Sequence, residues 1–258
     1  TLMRSSAASD VYKRQEYIIG PTDNSGYAIS GELPYGDYTI KETVFPTGYT
    51  KSDTDTWYVT VSRDNNGLAS FSAVNNEEKG SLKVIKNSED NYVEGLKFNL
   101  KGTSLTGKSV DMTVSTNADG IAMFNEVPVS GDTPYTLTEV DIPSRYEDVK
   151  PIGVTIEWEK TTTKTVNNTL KKGWLEVDKK DKETGTLLPN AKYGVYSDSA
   201  CTNKVDTLTT DSNGYAKSKK LPIGTYYVKE ITAPSGYVLD VKSYEGVVAY
   251  NKTTSLHR

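Results

Sequence analysis

Cysteine and histidine are nearly absent. The 258 residues hold one of each, Cys201 and His257. A single thiol excludes an internal disulfide framework and a cysteine-rich zinc site, and Cys201 reads as a small side chain in a polar loop. A lone histidine at the end of the sequence, with no nucleophile elbow, phosphate loop or metal-ligand cluster, argues against a turnover enzyme, and neither a metal nor a cofactor is expected. Long apolar runs are missing too, so no segment reaches membrane-spanning length and none resembles a signal-peptide core. Charge of one sign is not concentrated anywhere: 30 basic and 34 acidic residues are interspersed to a net −4. Without a basic stripe, nucleic acid is not an expected partner.

What is present is tyrosine, 18 residues against 4 phenylalanines, with abundant threonine, lysine, aspartate and glycine. That composition suits half-exposed strands and predicts an all-β chain of small β-sandwich modules. The first fifteen residues, "TLMRSSAASDVYKRQ", fit none of the patterns below. They resemble translated adapter read-through at the ends of metagenomic reading frames, with a disordered native linker as the alternative, and residues 1–15 are expected to stand outside the fold.

One word occurs three times: "YTIKETVFPTGY" at 38–49, "YTLTEVDIPSRY" at 135–146 and "YYVKEITAPSGY" at 226–237. Upstream of each is a turn, "TDNSGYA" (22–28), "TNADGIA" (116–122) and "TDSNGYA" (210–216), followed by "LP", "VP" and "LP". The repeat reads as a hairpin, a strand, a proline-broken corner and a further strand. The D/N-x-x-G turns lack the remaining ligands of a calcium loop and are read as turn chemistry. Boundaries repeat as well: "VNNEEKGSLKVIK" (74–86) matches "VNNTLKKGWLEVDKK" (166–180) with one residue inserted before the glycine, which aligns Asn75 with Asn167. The expected division is a partial module at 16–79 that lacks its first strand, a complete module at 80–171, and a module at 172–258 that lacks its last strand. Linkers of about four residues predict a stiff rod.

Strand alternation puts Glu42, Glu139 and Glu230 at the ends of inward rows, and it does the same for Lys86 and Lys179 after "LKV" and "LEV". A buried, unpaired carboxylate costs several kcal/mol, so a recurring inward Glu needs a partner. If an inward Lys, Glu and Asn meet, burial lowers the amine pKa and raises that of the carboxyl, and a shared proton leaves a neutral amine. That amine can attack the Asn side-chain amide while the carboxyl shuttles the proton; ammonia leaves and a Lys–Asn isopeptide remains.

These residues carry a family resemblance. The chain resembles the Cna B-type (SpaA-like, prealbumin-like) repeats of Gram-positive surface adhesins and pilins. The resemblance implies tandem prealbumin-like or Ig-like β-sandwich modules. Their reactive Lys ends an L-x-V-x-K first strand, as in "LKVIK" and "LEVDK". Their assisting Glu lies in the repeated tyrosine word, where Arg145 replaces the usual glycine in the second copy, and their acceptor Asn closes the last strand. Lys86, Glu139 and Asn167, with Asn168 as the alternative, then form the one complete set. Lys179 and Glu230 lack an acceptor, and Asn75 (alternative Asn76) and Glu42 lack a lysine. Asn251 aligns with Glu159 at a hairpin tip and is not expected to react.

The expected function is a structural stalk segment of a cell-wall-anchored, extracellular adhesin or pilin. Its partners are neighbouring modules of the same chain, and the reaction is a single-turnover cross-link rather than enzymatic turnover. The alternative is a host- or glycan-binding adhesin module using the outward aromatics Tyr58, Trp158 and Tyr227. "LPIGT" (221–225) resembles a sorting signal but lacks the apolar segment and basic tail that should follow, and reads as a corner.

Overall fold

Alternation sets the strands. Along Lys79–Ser88 the buried residues are Gly80, Leu82, Val84 and Lys86, with half-exposed residues between them, the pattern of a strand with one face on a core. The computed structural model describes residues 2–5, 15–52 and 54–257.

The first module holds β1 (Leu2–Ser5), β2 (Glu16–Ile18), β3 (Gly36–Lys41), β4 (Tyr49–Thr50), β5 (Thr56–Val61) and β6 (Asn76–Glu77). The second holds β7 (Lys79–Ser88), β8 (Lys97–Thr103), β9 (Ser109–Ser115), β10 (Ile121–Pro128), β11 (Tyr135–Val140), β12 (Ile152–Val154) and β13 (Thr161–Asn168). The third holds β14 (Lys172–Asp178), β15 (Lys192–Tyr196), β16 (Lys204–Thr209), β17 (Tyr215–Lys217), β18 (Leu221–Pro222), β19 (Gly224–Thr232), β20 (Ser243–Val248) and β21 (Thr253–His257).

The second module is a two-sheet sandwich, with order β10-β7-β13 facing β12-β11-β8-β9. Leu82 and Val84 of one sheet meet Phe98, Leu100, Leu137 and Val154 of the other in one buried core. β13 runs parallel to β7, with Val166 opposite Lys86 and Asn168 opposite Ser88. First and last strands of the module are therefore direct neighbours.

The third module repeats this plan: β15, β16, β19 and β20 form one sheet, and β14 pairs with β17 and β18. Here one expectation needs correction. The closing strand is not absent, because β21 pairs in parallel with β14 from Trp174↔Thr253 to Asp178↔His257. Thr253 takes the place of Thr161, which pairs with Ser81. The position matching Asn168 would then fall two residues past Arg258. Asn251 lies at the hairpin tip with a positive φ, as does Glu159.

The first module has one well-formed sheet, β2-β1-β3-β5, over a small core of Ile19, Tyr38, Ile40 and Val61. Leu2–Ser5 were expected outside the fold, but they pair with β3 as β8 pairs with β11. Residues 6–14 of the same segment lie outside the described residues. No strand is assigned over 27–34 or 68–75, the segments that match β10 and β13. In the second module both of those strands pair with β7. Among the described residues neither segment has a ladder partner, and an isolated extended segment is not stable in water.

Both junctions use the same main-chain bonds. Glu78 N–H donates to the Gly48 carbonyl of the first module, and the Glu78 carbonyl accepts the Val129 N–H of the second. At the next junction Lys171 N–H donates to Arg145, and its carbonyl accepts the Ile223 N–H. Lys172 adds an ion pair to Glu89 at 2.9 Å.

Candidate cross-linking site

The opening Tyr of each repeated word fixes the corner that precedes it. Tyr38, Tyr135 and Tyr226 donate their hydroxyls to the carbonyls of Pro34, Pro128 and Pro222 at 2.7, 3.0 and 2.9 Å. A buried phenol needs such a partner, and burial pushes the Tyr135 phenol up to about 12.

The closing Tyr works on the far side of the lysine strand. Tyr146 donates to Asp90, and Tyr237 hydrogen-bonds Asp181. Burial works against the Asp90 carboxylate. Hydrogen bonds from Tyr146, Arg145, Ser88 and the Tyr92 N–H outweigh it and hold the group well below the usual carboxylate range. Arg145 stacks on both the Tyr92 and Tyr146 rings at 4.6 Å. Unlike Gly48 and Gly236, it has no positive φ. The junction uses only its carbonyl, so an arginine serves there.

The turn glycines seat the lysine strand. The Gly120 and Gly214 carbonyls accept the N–H groups of Lys86 and Lys179, both at 2.7 Å. Both glycines have positive φ, and a Cβ on either would lie 2.6 or 2.4 Å from the lysine carbonyl oxygen. In the turns themselves, Asp23, Asn117 and Asp211 each accept two backbone N–H groups through one side-chain oxygen. The shared motif is thus a closed turn.

At the centre of the second module, Lys86 Nζ lies 2.9 Å from Glu139 Oε2, and both side chains are fully buried, at 0% exposure. Asn168 Nδ2 donates to the other oxygen of the same carboxylate, Oε1, at 2.8 Å. Asn168 Oδ1 is buried with no hydrogen-bond partner among the described residues. Burial pushes the Lys86 ammonium down, against the pull of the Glu139 hydrogen bond and charge.

The preferred acceptor Asn167 is corrected by this geometry. Asn167 is exposed, and its Oδ1 accepts from Asn87 Nδ2 at 2.9 Å. The inward face of β13 belongs to Val166 and Asn168, with Lys164 only half-buried on that row. The error came from placing the extra residue before the glycine. Counted back from Gly80 and Gly173, Asn75 and Asn168 are each five residues away. That count is fixed physically, because Tyr49 pairs with Glu77 and Tyr146 with Leu170. Asn75 Nδ2 accordingly lies 3.2 Å from Glu42 Oε1, while Asn76 bonds the Lys51 carbonyl.

The third module keeps the pair but changes its third member. Lys179 Nζ lies 3.0 Å from Glu230 Oε1, and Glu230 Oε2 accepts the backbone N–H of Asp240 at 2.8 Å. The second carboxylate oxygen is thus held by a main-chain amide of the segment before β20. The outward aromatics fall on three separate modules: Tyr58 and Trp158 are exposed, and Tyr227 is half-buried opposite Tyr196.

The family model of the SpaA prealbumin-like fold domain matches three times, over residues 8–77, 80–170 and 173–257. The chain belongs to this family. The first match begins inside the segment expected to stand apart from the fold. Among relatives, 68 residues are 44% identical to the trypsin-resistant surface T6 protein of Streptococcus pyogenes serotype M6, covering 26% of this chain and 12% of that protein. Over 73 residues the chain is 38% identical to a collagen adhesin of Staphylococcus aureus, covering 27% of this chain and 6% of that protein. The match therefore spans only a small part of either relative. Among solved structures, the Bacillus anthracis TIE protein superposes over 100% of this chain and 47% of its own with a TM-score of 0.71 at 25% identity.

Proposed function

We propose that this chain is a load-bearing stalk segment of a bacterial surface adhesin or pilin, and that its second module closes itself with a Lys86–Asn168 isopeptide bond. One observation carries the reading: the amine and the amide converge on the two oxygens of one buried carboxylate. Lys86 Nζ, made less basic by burial, attacks Asn168 Cγ. The Nζ–Cγ bond forms as Cγ–Nδ2 breaks, and Glu139 passes the proton from the incoming nitrogen to the departing one, releasing ammonia. Amide exchange is very slow in water, so the dry core and fixed geometry are the fold's contribution.

Because β7 and β13 are parallel neighbours, the bond ties first strand to last. Tension applied at the module ends would then pass through a covalent link instead of unzipping the ladder. Surface relatives of the same family support a stalk of this kind, and a staple without cysteine works in any redox environment.

Intact-mass measurement of the full chain tests the reading. The parent should weigh one ammonia less than its sequence, while Lys86→Ala and Asn168→Ala should show the full mass. Peptide mapping should find Lys86 joined to Asn168. A folded parent at full mass would sink the cross-link and leave an unstapled sandwich.

A further inference from the structure

The outer face of the four-stranded sheet in the third module, β16-β15-β19-β20, differs in kind from its counterpart in the second. Tyr196 on β15 lies opposite Tyr227 on β19, and both point away from the core that Tyr193, Val195, Tyr226 and Val228 help to build. Gly194 lets the first ring lie down. The far half of Tyr196 crosses this residue, and a Cβ there would meet its hydroxyl and ring carbons at 2.5 to 2.7 Å. Both tyrosines stay half-exposed, so they form a low aromatic platform on a polar surface. The register places Asn99, Lys101 and Thr136 at these positions in the second module. There Asn99 and Lys101 both reach Asp111, at 2.7 and 3.0 Å, and the polar groups satisfy one another.

Charge frames the platform. Lys229 lies opposite Gly194, Lys204 lies opposite Tyr196, and Lys192 shares their face two residues before Gly194. Among the described residues, the ion pairs of third-module lysines are Lys172 with Glu89 and Lys179 with Glu230. Lys192, Lys204 and Lys229 are thus left without a carboxylate at contact distance. Glu245 is exposed opposite Tyr227, while Asp206 on β16 is turned to the Lys219 N–H. Three cations against one anion, set around two tyrosines, suit a ligand that offers ring faces and negative charge together.

We infer that this face binds an acidic polysaccharide whose sugar rings carry carboxylates. The C–H face of a pyranose packs on the electron-rich face of an aromatic ring, and tyrosine supplies such contact at low entropic cost. The ring carboxylates pair with Lys192, Lys204 and Lys229, and Glu245 accepts sugar hydroxyls. Lys192 and Tyr196 are four residues apart on β15, about 13 Å at ~3.3 Å per residue, so the face takes more than one sugar. Cross-strand tyrosines also support a sheet, but that role requires neither a glycine beneath the ring nor unpaired cations around it. The site is independent of the cross-link in the second module.

Calorimetric titration of the full chain with a hyaluronan hexasaccharide, which alternates glucuronate with N-acetylglucosamine, tests the inference. Chitohexaose supplies rings without charge, and polyglutamate supplies charge without rings. The hyaluronan fragment should bind saturably and more weakly as salt rises, with both controls at least tenfold weaker. Tyr196→Ala and Tyr227→Ala should each weaken binding about tenfold. Gly194→Val keeps both tyrosines and every charge but lifts the Tyr196 ring, and it should weaken binding as well. Lys192→Gln/Lys204→Gln/Lys229→Gln should abolish binding while the unfolding temperature of the third module stays in place. No saturable binding of the hyaluronan fragment overturns the inference. Equal binding of either control, or affinity unchanged in both tyrosine variants, overturns it too.

Discussion

Removing the Lys86 side chain alone should do more damage than removing it together with Glu139. The proposed bond closes a loop of about eighty residues, which the chain-entropy relation converts to about 4.5 kcal/mol. In a module of this size that equals roughly 20–35 °C of unfolding temperature. Lys86→Met loses this and also leaves the fully buried Glu139 carboxyl without the Nζ–H that faces it in the cross-linked parent, a further loss of about 1–3 kcal/mol. The total, about 5.5–7.5 kcal/mol, is comparable to the whole stability of an ordinary domain. Lys86→Met/Glu139→Leu removes the stranded carboxyl. It still lacks the bond, and Asn168 Nδ2 loses its acceptor at about 1–2 kcal/mol, yet apolar packing at the pair position offsets that loss. The double variant should therefore be more stable than the single one by roughly 1–2 kcal/mol. Hydrogen exchange at the β7 amides reads this within the full chain, since it reports the opening free energy of one module. Equal protection in parent and double variant would refute the contribution of a covalent closure. A single variant as stable as the double would refute the argument from the stranded carboxyl.

Asn167→Ala should keep the ammonia deficit and Asn168→Ala should abolish it, as intact mass will show directly. In Asn168→Ala, where Lys86 stays a free amine, its folded-state pKa lies below the unfolded value of 10.5. The unfolded chain then binds more protons between those two values, so stability should rise as pH increases toward 10.5, visible in urea midpoints measured across that window. Tyr226→Phe removes the bond to the Pro222 carbonyl and should cost about 1–2 kcal/mol, checked by thermal unfolding of the third module. Gly120→Ala should delay ammonia loss in refolded protein, because the added Cβ would lie 2.6 Å from the Lys86 carbonyl, whereas Gly26→Ala should leave the ammonia loss of the second module unchanged.

Much of the site could be read in the sequence because its residues sit on strict period-two strands. Leu82, Val84 and Lys86 share a face by arithmetic alone, and Glu139 follows Tyr135 and Leu137 for the same reason. What was hidden lay where the period stops. Asn167 and Asn168 differ by one position, and a one-residue slip moves a side chain to the other face; only the fixed distance back from Gly173 distinguishes them. The role of the closing tyrosines was also out of reach, because Tyr146 and Asp90 are 56 residues apart and no local spacing links them. The fate of β21 was legible only as far as the alignment with β13 extended. Its five residues pair with β14 from Thr253 to His257.

The junction bonds have a consequence for how such chains diversify. At both junctions the central linker residue uses its N–H and carbonyl in the same way, and it is Glu78 in one case and Lys171 in the other. Opposite charges thus serve the same connection. The main-chain part of a seam can therefore survive duplication, deletion or exchange of a whole module, while side-chain bonds such as Lys172 to Glu89 and Lys171 Nζ to the Ser144 carbonyl belong to one seam alone.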